Sequence, residues 1–100
     1  MLQAQIYIDK DDLKGSKPLY EYIMQFLIEH KIAGATAFKG QIGYGPSQHL
    51  NRPHALFSFD EIPIVIIFID EEEKVKNALT ALRKEVKNGL IITHHVEKWQ

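Results

Sequence analysis

The residues of this chain best suited to chemistry lie together between Lys39 and Pro53, in the run Lys-Gly-Gln-Ile-Gly-Tyr-Gly-Pro-Ser-Gln-His-Leu-Asn-Arg-Pro. That run holds three of the six glycines and two of the four prolines. Gly40, Gly43 and Gly45 let backbone N–H groups approach a ligand closely, while Lys39 and Arg52 supply positive charge, so the pattern suits capture of a small anion. It is not a Walker loop, because no Lys-Ser/Thr pair follows the glycines and no helix opens there. The same glycines would also serve a plain structural turn, and the residue types leave both readings open. His49 and His54 add a metal-binding alternative, but no third ligand stands at a recognisable spacing. Catalysis has less to draw on. There is no cysteine and no Gly-x-Ser-x-Gly elbow, so neither an enzyme nor a bound cofactor is expected.

The elements that must position this run are bounded by size. A chain of 100 residues makes one domain, here residues 1–100, and a domain this small gains from self-association. A formal net charge of −1 argues against nucleic acid as the partner, since phosphate backbones demand clustered cations. Without cysteine, no disulfide framework is possible. The N-terminus has no basic region followed by an apolar run, and the longest apolar stretch, Ile62 to Ile69, is too short to span a bilayer as a helix. A cytoplasmic protein without direct membrane insertion is expected.

Residues Leu2 to Asp9 alternate apolar and polar with period two, which predicts a strand. Lys10 to Gly15 reads as a turn. A helix is expected from Lys17 to about Lys31, with Ser16 as N-cap, Pro18 in its first turn, closure near Gly34, and Leu19, Ile23, Phe26, Leu27 and His30 on one stripe. Ala35 to Ile42 is a second strand. Ala55 to Phe59 reads as a short extended piece, and Ile62 to Asp70 as a strand rich in β-branched residues. Asp70 then stands where a cap belongs, with Glu73 at the capping-box position and three glutamates facing the positive end of a helix dipole. Val75, Ala78, Leu79, Leu82 and Val86 trace that helix's buried stripe. Arg83, Lys84 and Lys87 gather at its end, Asn88-Gly89 closes it, and Leu90 to Val96 is the last strand.

Strand, helix, strand, strand, helix, strand with right-handed crossovers puts both helices on one face of a four-stranded antiparallel sheet, first and third strands central. This is an α+β, ferredoxin-like βαββαβ sandwich. Its third strand is apolar toward both faces: Ile62, Ile64, Ile66 and Phe68 point one way, Val65, Ile67 and Ile69 the other. At about 25 cal/mol per Å² of apolar area, leaving the second set in water forgoes several kcal/mol. A domain stable by about 5–15 kcal/mol has little room for that loss. A further copy of the chain is therefore expected to cover this face.

With loop and strand order in hand, the chain resembles the domain-of-unknown-function 190 family, a branch of the PII-like proteins. The resemblance rests on Gly15-Ser-Lys-Pro-Leu-Tyr-Glu-Tyr22, Gly34-Ala-Thr-Ala-Phe-Lys-Gly40, Gly43-Tyr44-Gly45, His49, Ile62-Pro-Ile-Val65, Ile69-Asp70 and Gly89-Leu90-Ile91, spread over nearly the whole chain. It implies a homotrimer whose sheets face one another around the axis. It also implies that the loop after the second strand and the turn before the last strand meet across a subunit boundary, where adenine nucleotides or related ligands bind. On this reading Lys39, Gly40, Gly43, Tyr44, Gly45, Ser47, His49 and Arg52 form one wall of a cleft, and Lys87, Asn88 and Gly89 of a neighbour form the other. The glycines donate backbone N–H groups, Lys39, Arg52 and Lys87 neutralise charge, and Tyr44 stacks. A signalling role through the loop, on a membrane-channel or enzyme partner, is implied as well. The chain departs from PII signalling proteins in having Pro46, Ser47 and Gln48 after Gly45, and in a shortened turn at Lys87–Gly89 with no arginine behind it. The alternatives are a metal-binding trimer using His49 and His54, and an interaction scaffold without a small ligand.

Overall fold

The computed structural model describes residues 1–41 and 62–100. Its elements are β1 (Leu2–Asp9), β2 (Leu13–Lys14), β3 (Lys17–Pro18), α1 (Leu19–Glu29), β4 (Ala35–Lys39), β5 (Pro63–Asp70), α2 (Glu72–Glu85) and β6 (Leu90–His95). The main sheet has the order β4-β5-β1-β6, with every pairing antiparallel. The two central strands are thus the first and third long strands, as the ferredoxin-like arrangement requires, and β4 and β6 are its opposite edges. The second strand, expected to reach Ile42, ends at Lys39, with Gly40 and Gln41 already outside it; the expected extended piece at Ala55–Phe59 lies outside the described residues.

Alternation decides what the sheet buries. Leu2, Ala4, Ile6 and Ile8 of β1 and Ile64, Ile66 and Phe68 of β5 pack against Leu19, Ile23, Phe26 and Leu27 of α1 and Val75, Ala78 and Leu82 of α2. The intervening residues face the other way. There Phe38 is 55% exposed, Leu90 60%, and Tyr7, Ile69 and Ile92 40% each, with Val65 and Ile67 half-buried between them. By register Thr36, Ile67, Gln5 and Ile92 run in one row across this open face. Among the described residues, no helix lies over the apolar second face of β5.

Three local expectations are corrected. Ser16 does not cap α1: it sits in the tight turn of a two-stranded ribbon in which Lys14 pairs with Lys17. The N-cap is Pro18, with extended backbone and no side-chain cap, and the Leu19 N–H is satisfied by the Asp12 carbonyl at 2.7 Å. The expected turn at Lys10–Gly15 thus contains a strand that pattern alone does not show, because two residues carry no period. At the other end, α1 closes on Lys31 rather than near Gly34. Lys31 N–H donates to Ile28 O and Ile32 N–H to Leu27 O, the Schellman pair, with Lys31 at φ 62° where glycine usually stands. Ile32 is buried, so its packing holds the lysine in that conformation. Lys31→Gly removes the left-handed penalty at the cost of some unfolded-chain entropy. It is expected to raise stability by about 1 kcal/mol, read as a higher urea midpoint at unchanged slope.

The third correction concerns Asp70. The N-cap of α2 is Glu71, with no side-chain cap, so neither the Asp70 cap nor the Glu73 capping box forms. The buried Asp70 carboxylate instead accepts the Ala33 N–H at 2.9 Å and the Glu71 N–H at 2.7 Å, with Lys74 Nζ 3.3 Å away. It ties the α1–β4 connection to the start of α2.

Candidate functional site

Lys39 and Gly40 stand at the end of edge strand β4, where the long connection to β5 begins. Lys39 is exposed and opposite Ile64. The Gly40 N–H donates to the Pro63 carbonyl at 2.7 Å, and a Cβ on Gly40 would lie 2.5 Å from the Pro63 ring. Glycine is therefore needed here because proline begins the returning limb. The Lys10 N–H donates to Ile62 O at 2.7 Å, so the departing and returning limbs are both fixed at the sheet. Gly43, Tyr44, Gly45, Ser47, His49, Arg52 and His54 lie outside the described residues.

The second proposed wall is the turn at Lys87, Asn88 and Gly89, which leads into the opposite edge strand β6. Helix α2 ends at Glu85, and Val86 already has extended backbone, so Val86 is buried at the start of the turn rather than on the helical stripe. Gly89 has φ 83°, and a Cβ there would meet the Tyr7 carbonyl oxygen at 2.7 Å and Ile8 Cγ2 at 2.8 Å. Both the left-handed backbone and the close approach to β1 require glycine. Gly89→Ala is expected to cost about 2 kcal/mol by chemical denaturation and to displace the turn, seen as shifted Tyr7 and Ile8 amide resonances.

A residue that the sequence reading placed only at the helix end organises this turn. The Arg83 guanidinium donates to the carbonyls of Asn88 at 2.8 Å, Gly89 at 2.9 Å and, more weakly, Val86 at 3.4 Å. Cations at a helix C-terminus were legible, but three carbonyls beyond the helix were not. Lys87, expected to neutralise a ligand, donates its ammonium to the Arg83 carbonyl at 2.7 Å. From the ribbon, Lys14 Nζ reaches the Glu85 carbonyl and lies 5.7 Å over the Tyr22 ring.

The two walls share one end of the sheet, since Lys39 is level with the start of β5, and Asp9 pairs with Pro63 and Tyr7 with Leu90. Among the described residues, Lys39 and Gly40 stand apart from the Lys87–Gly89 turn within one chain. Three strand spacings of about 4.8 Å lie between the edges in the order β4-β5-β1-β6, roughly 14 Å.

The groups with shifted proton affinity lie at the other end. Backbone donors Ala33 and Glu71, and then Lys74, hold the Asp70 carboxyl below its ordinary 3.8 despite burial. The hydrogen bond from Lys76, and then that from His95, lowers Glu72, while Glu72 in turn raises Lys76. His95 meets Glu72 at 2.6 Å. His30 is exposed, not a packing residue of the buried stripe; its ring stacks on Phe26 with centroids 4.0 Å apart, and its Nδ1 contacts the Phe26 carbonyl. Among the described residues, no group of three or more possible metal ligands comes together. No helix there is long and apolar enough to cross a membrane.

Comparison with known proteins places this geometry. The chain is 36% identical over 94 residues to a UPF0166 protein of Aquifex aeolicus, covering 93% of this chain and 88% of that one. It is 33% identical over 95 residues to a UPF0166 protein of Methanocaldococcus jannaschii, covering 88% and 82%. Among solved structures it is similar to CPII, a nitrogen regulatory PII-like protein from Thiomonas intermedia K12 bound to ADP, AMP and bicarbonate. That match has a TM-score of 0.68 at 20% identity and covers 93% of this chain and 82% of that one. A PII-like protein from Thermus thermophilus matches with a TM-score of 0.60 at 18% identity, covering 93% and 81%. These likenesses in structure establish a ferredoxin-like α+β fold of the PII-like kind. The family model of DUF190, described as an uncharacterized ACR, matches residues 1–98. The chain therefore belongs to the DUF190 family.

Proposed function

We propose that the protein is a homotrimeric PII-like regulator, not a catalyst, that binds a small anionic ligand in clefts between its subunits. On this reading it acts on a membrane-channel or enzyme partner through the long connection between β4 and β5. The observation that carries the reading is the sheet itself. Its open face presents Phe38, Val65, Ile67, Ile69, Leu90 and Ile92, an area that burial against further copies would remove from water. In a closed ring of three, the β4 edge of one subunit comes beside the β6 edge of the next. Lys39 and Gly40 then face a neighbour's Lys87–Gly89 turn, joining two walls that are roughly 14 Å apart in a single chain. The wall formed by Gly43, Tyr44, Gly45, Ser47, His49 and Arg52 completes the cleft.

CPII was solved with ADP, AMP and bicarbonate, which makes adenine nucleotides and small carboxylate-like anions the first ligands to try. Size-exclusion chromatography with light scattering tests the assembly, and a monomer at micromolar concentration overturns the clefts. A thermal-shift panel of adenine nucleotides, cyclic dinucleotides and anions tests the ligand. At about a hundred times Kd the true ligand adds roughly 2.7 kcal/mol, and flat curves across the panel overturn the binding role.

A further inference from the structure

The backbone from Arg83 to Gly89 is distinguished by where its carbonyls go. Lys87 takes that of Arg83, Lys14 that of Glu85, and the Arg83 guanidinium those of Val86, Asn88 and Gly89. Five carbonyls are thus held by three cationic side chains of the same chain. A helix C-terminus ordinarily repels an anion through the negative end of its dipole, and positive charge folded onto the last turn offsets that repulsion.

The direction of the donors follows from peptide geometry. In a planar trans peptide the C=O and N–H of one unit point opposite ways, and the described residues contain no cis bond. By drawing the carbonyls of Val86 and Asn88 onto itself, Arg83 turns the N–H groups of Lys87 and Gly89 away from itself. Neither N–H donates to a protein acceptor among the described residues. The Lys87 ammonium is meanwhile engaged with the Arg83 carbonyl, so the donors left uncommitted among the described residues of the turn are those of the main chain.

We propose that Arg83 is a positioning residue that shapes the 87–89 turn into a backbone receptor for a phosphate group, without touching the ligand itself. The inference deepens the reading of that turn as one wall of a ligand cleft and rests on it. What matters is the planar fork that reaches several carbonyls at once, which a lysine's point charge does not reproduce.

The test compares wild type, Arg83→Gln and Arg83→Lys in two measurements. Backbone ¹⁵N relaxation on unliganded protein reads the turn directly. Order parameters at Lys87 and Gly89 are expected to be near 0.85 in wild type and to fall below about 0.6 in both variants. Calorimetric titration with ADP, and separately with inorganic phosphate, reads binding. Both variants are expected to lose roughly tenfold in ADP affinity while the unfolding midpoint of the unliganded protein stays nearly constant. A merely structural role would move the midpoint and leave affinity alone. An ordered turn in Arg83→Gln overturns the inference, as does full affinity in Arg83→Lys; the lysine variant also serves should the glutamine variant fail to fold. Wild type that binds neither ADP nor phosphate overturns the cleft reading and the phosphate role with it. A turn loosened by the substitutions would in that case still identify Arg83 as its organiser.

Discussion

Ile67→Glu is expected to convert the proposed trimer into a folded monomer. Ile67 lies in the middle of β5 on the open face, across from Gln5 of β1 and Thr36 of β4, with Val65 and Ile69 on either side along the strand. In a single chain its side chain is half-buried, so a carboxylate there keeps access to water and costs the isolated subunit little. Between three subunits the same carboxylate would be desolvated three times over without a partner. An unpaired buried charge costs several kcal/mol per site, enough to abolish association at micromolar concentration. Light scattering should report a threefold drop in mass with an unchanged far-ultraviolet dichroism spectrum. A variant that keeps the wild-type mass would show that this face is not the interface.

Asp70→Ala is expected to be the most damaging single change at a polar residue. Its carboxylate is the acceptor for two main-chain donors, Ala33 at 2.9 Å and Glu71 at 2.7 Å, and it sits 3.3 Å from Lys74. Hydrogen bonds to a charged group each contribute about 1.5–3 kcal/mol where water is excluded. Both donors here are partly hydrated, so a loss of about 2–3 kcal/mol is expected, with a fall in Tm on the order of 10–15 °C.

The pH dependence has a definite sign. Because these contacts favour the charged form, the folded-state affinity for the proton lies below the ordinary value of 3.8. The stabilisation is therefore complete above about pH 4–5 and is lost as pH falls through the lowered folded value. The stability gap between wild type and Asp70→Ala should be constant near neutrality and narrow below about pH 4. A gap that stays open through about pH 2 in urea titrations would mean the residue acts by packing rather than by charge.

Much of the fold is legible in the chain because periodicity is a local property. The alternation of Leu2, Ala4, Ile6 and Ile8, and the stripe of Leu19, Ile23, Phe26 and Leu27, specify a strand and a helix without knowledge of their partners. The two-sided apolar character of Ile64 to Ile69 is likewise legible, and in the folded chain it becomes the apolar open face of the sheet. Gly89 is legible as a turn residue for a similar reason, since a left-handed backbone favours glycine wherever it occurs.

What tertiary structure alone decided lies in contacts between residues distant in sequence or in main-chain atoms that residue types do not reveal. Asp70 looks like a helix cap, but one of its two main-chain partners is the N–H of Ala33, 37 residues earlier, brought near only by sheet order. Ser16 has the chemistry of an N-cap, yet folding placed the Asp12 carbonyl against Leu19 and gave Ser16 to a ribbon turn. Arg83 reads as a charge suited to a helix end, while its grip on the turn depends on the path of the backbone after Val86. Side-chain periodicity is set by covalent spacing and is written into the sequence. The direction in which a carbonyl points is set by the dihedral angles that packing selects, and for those the assembled molecule is the first place they exist.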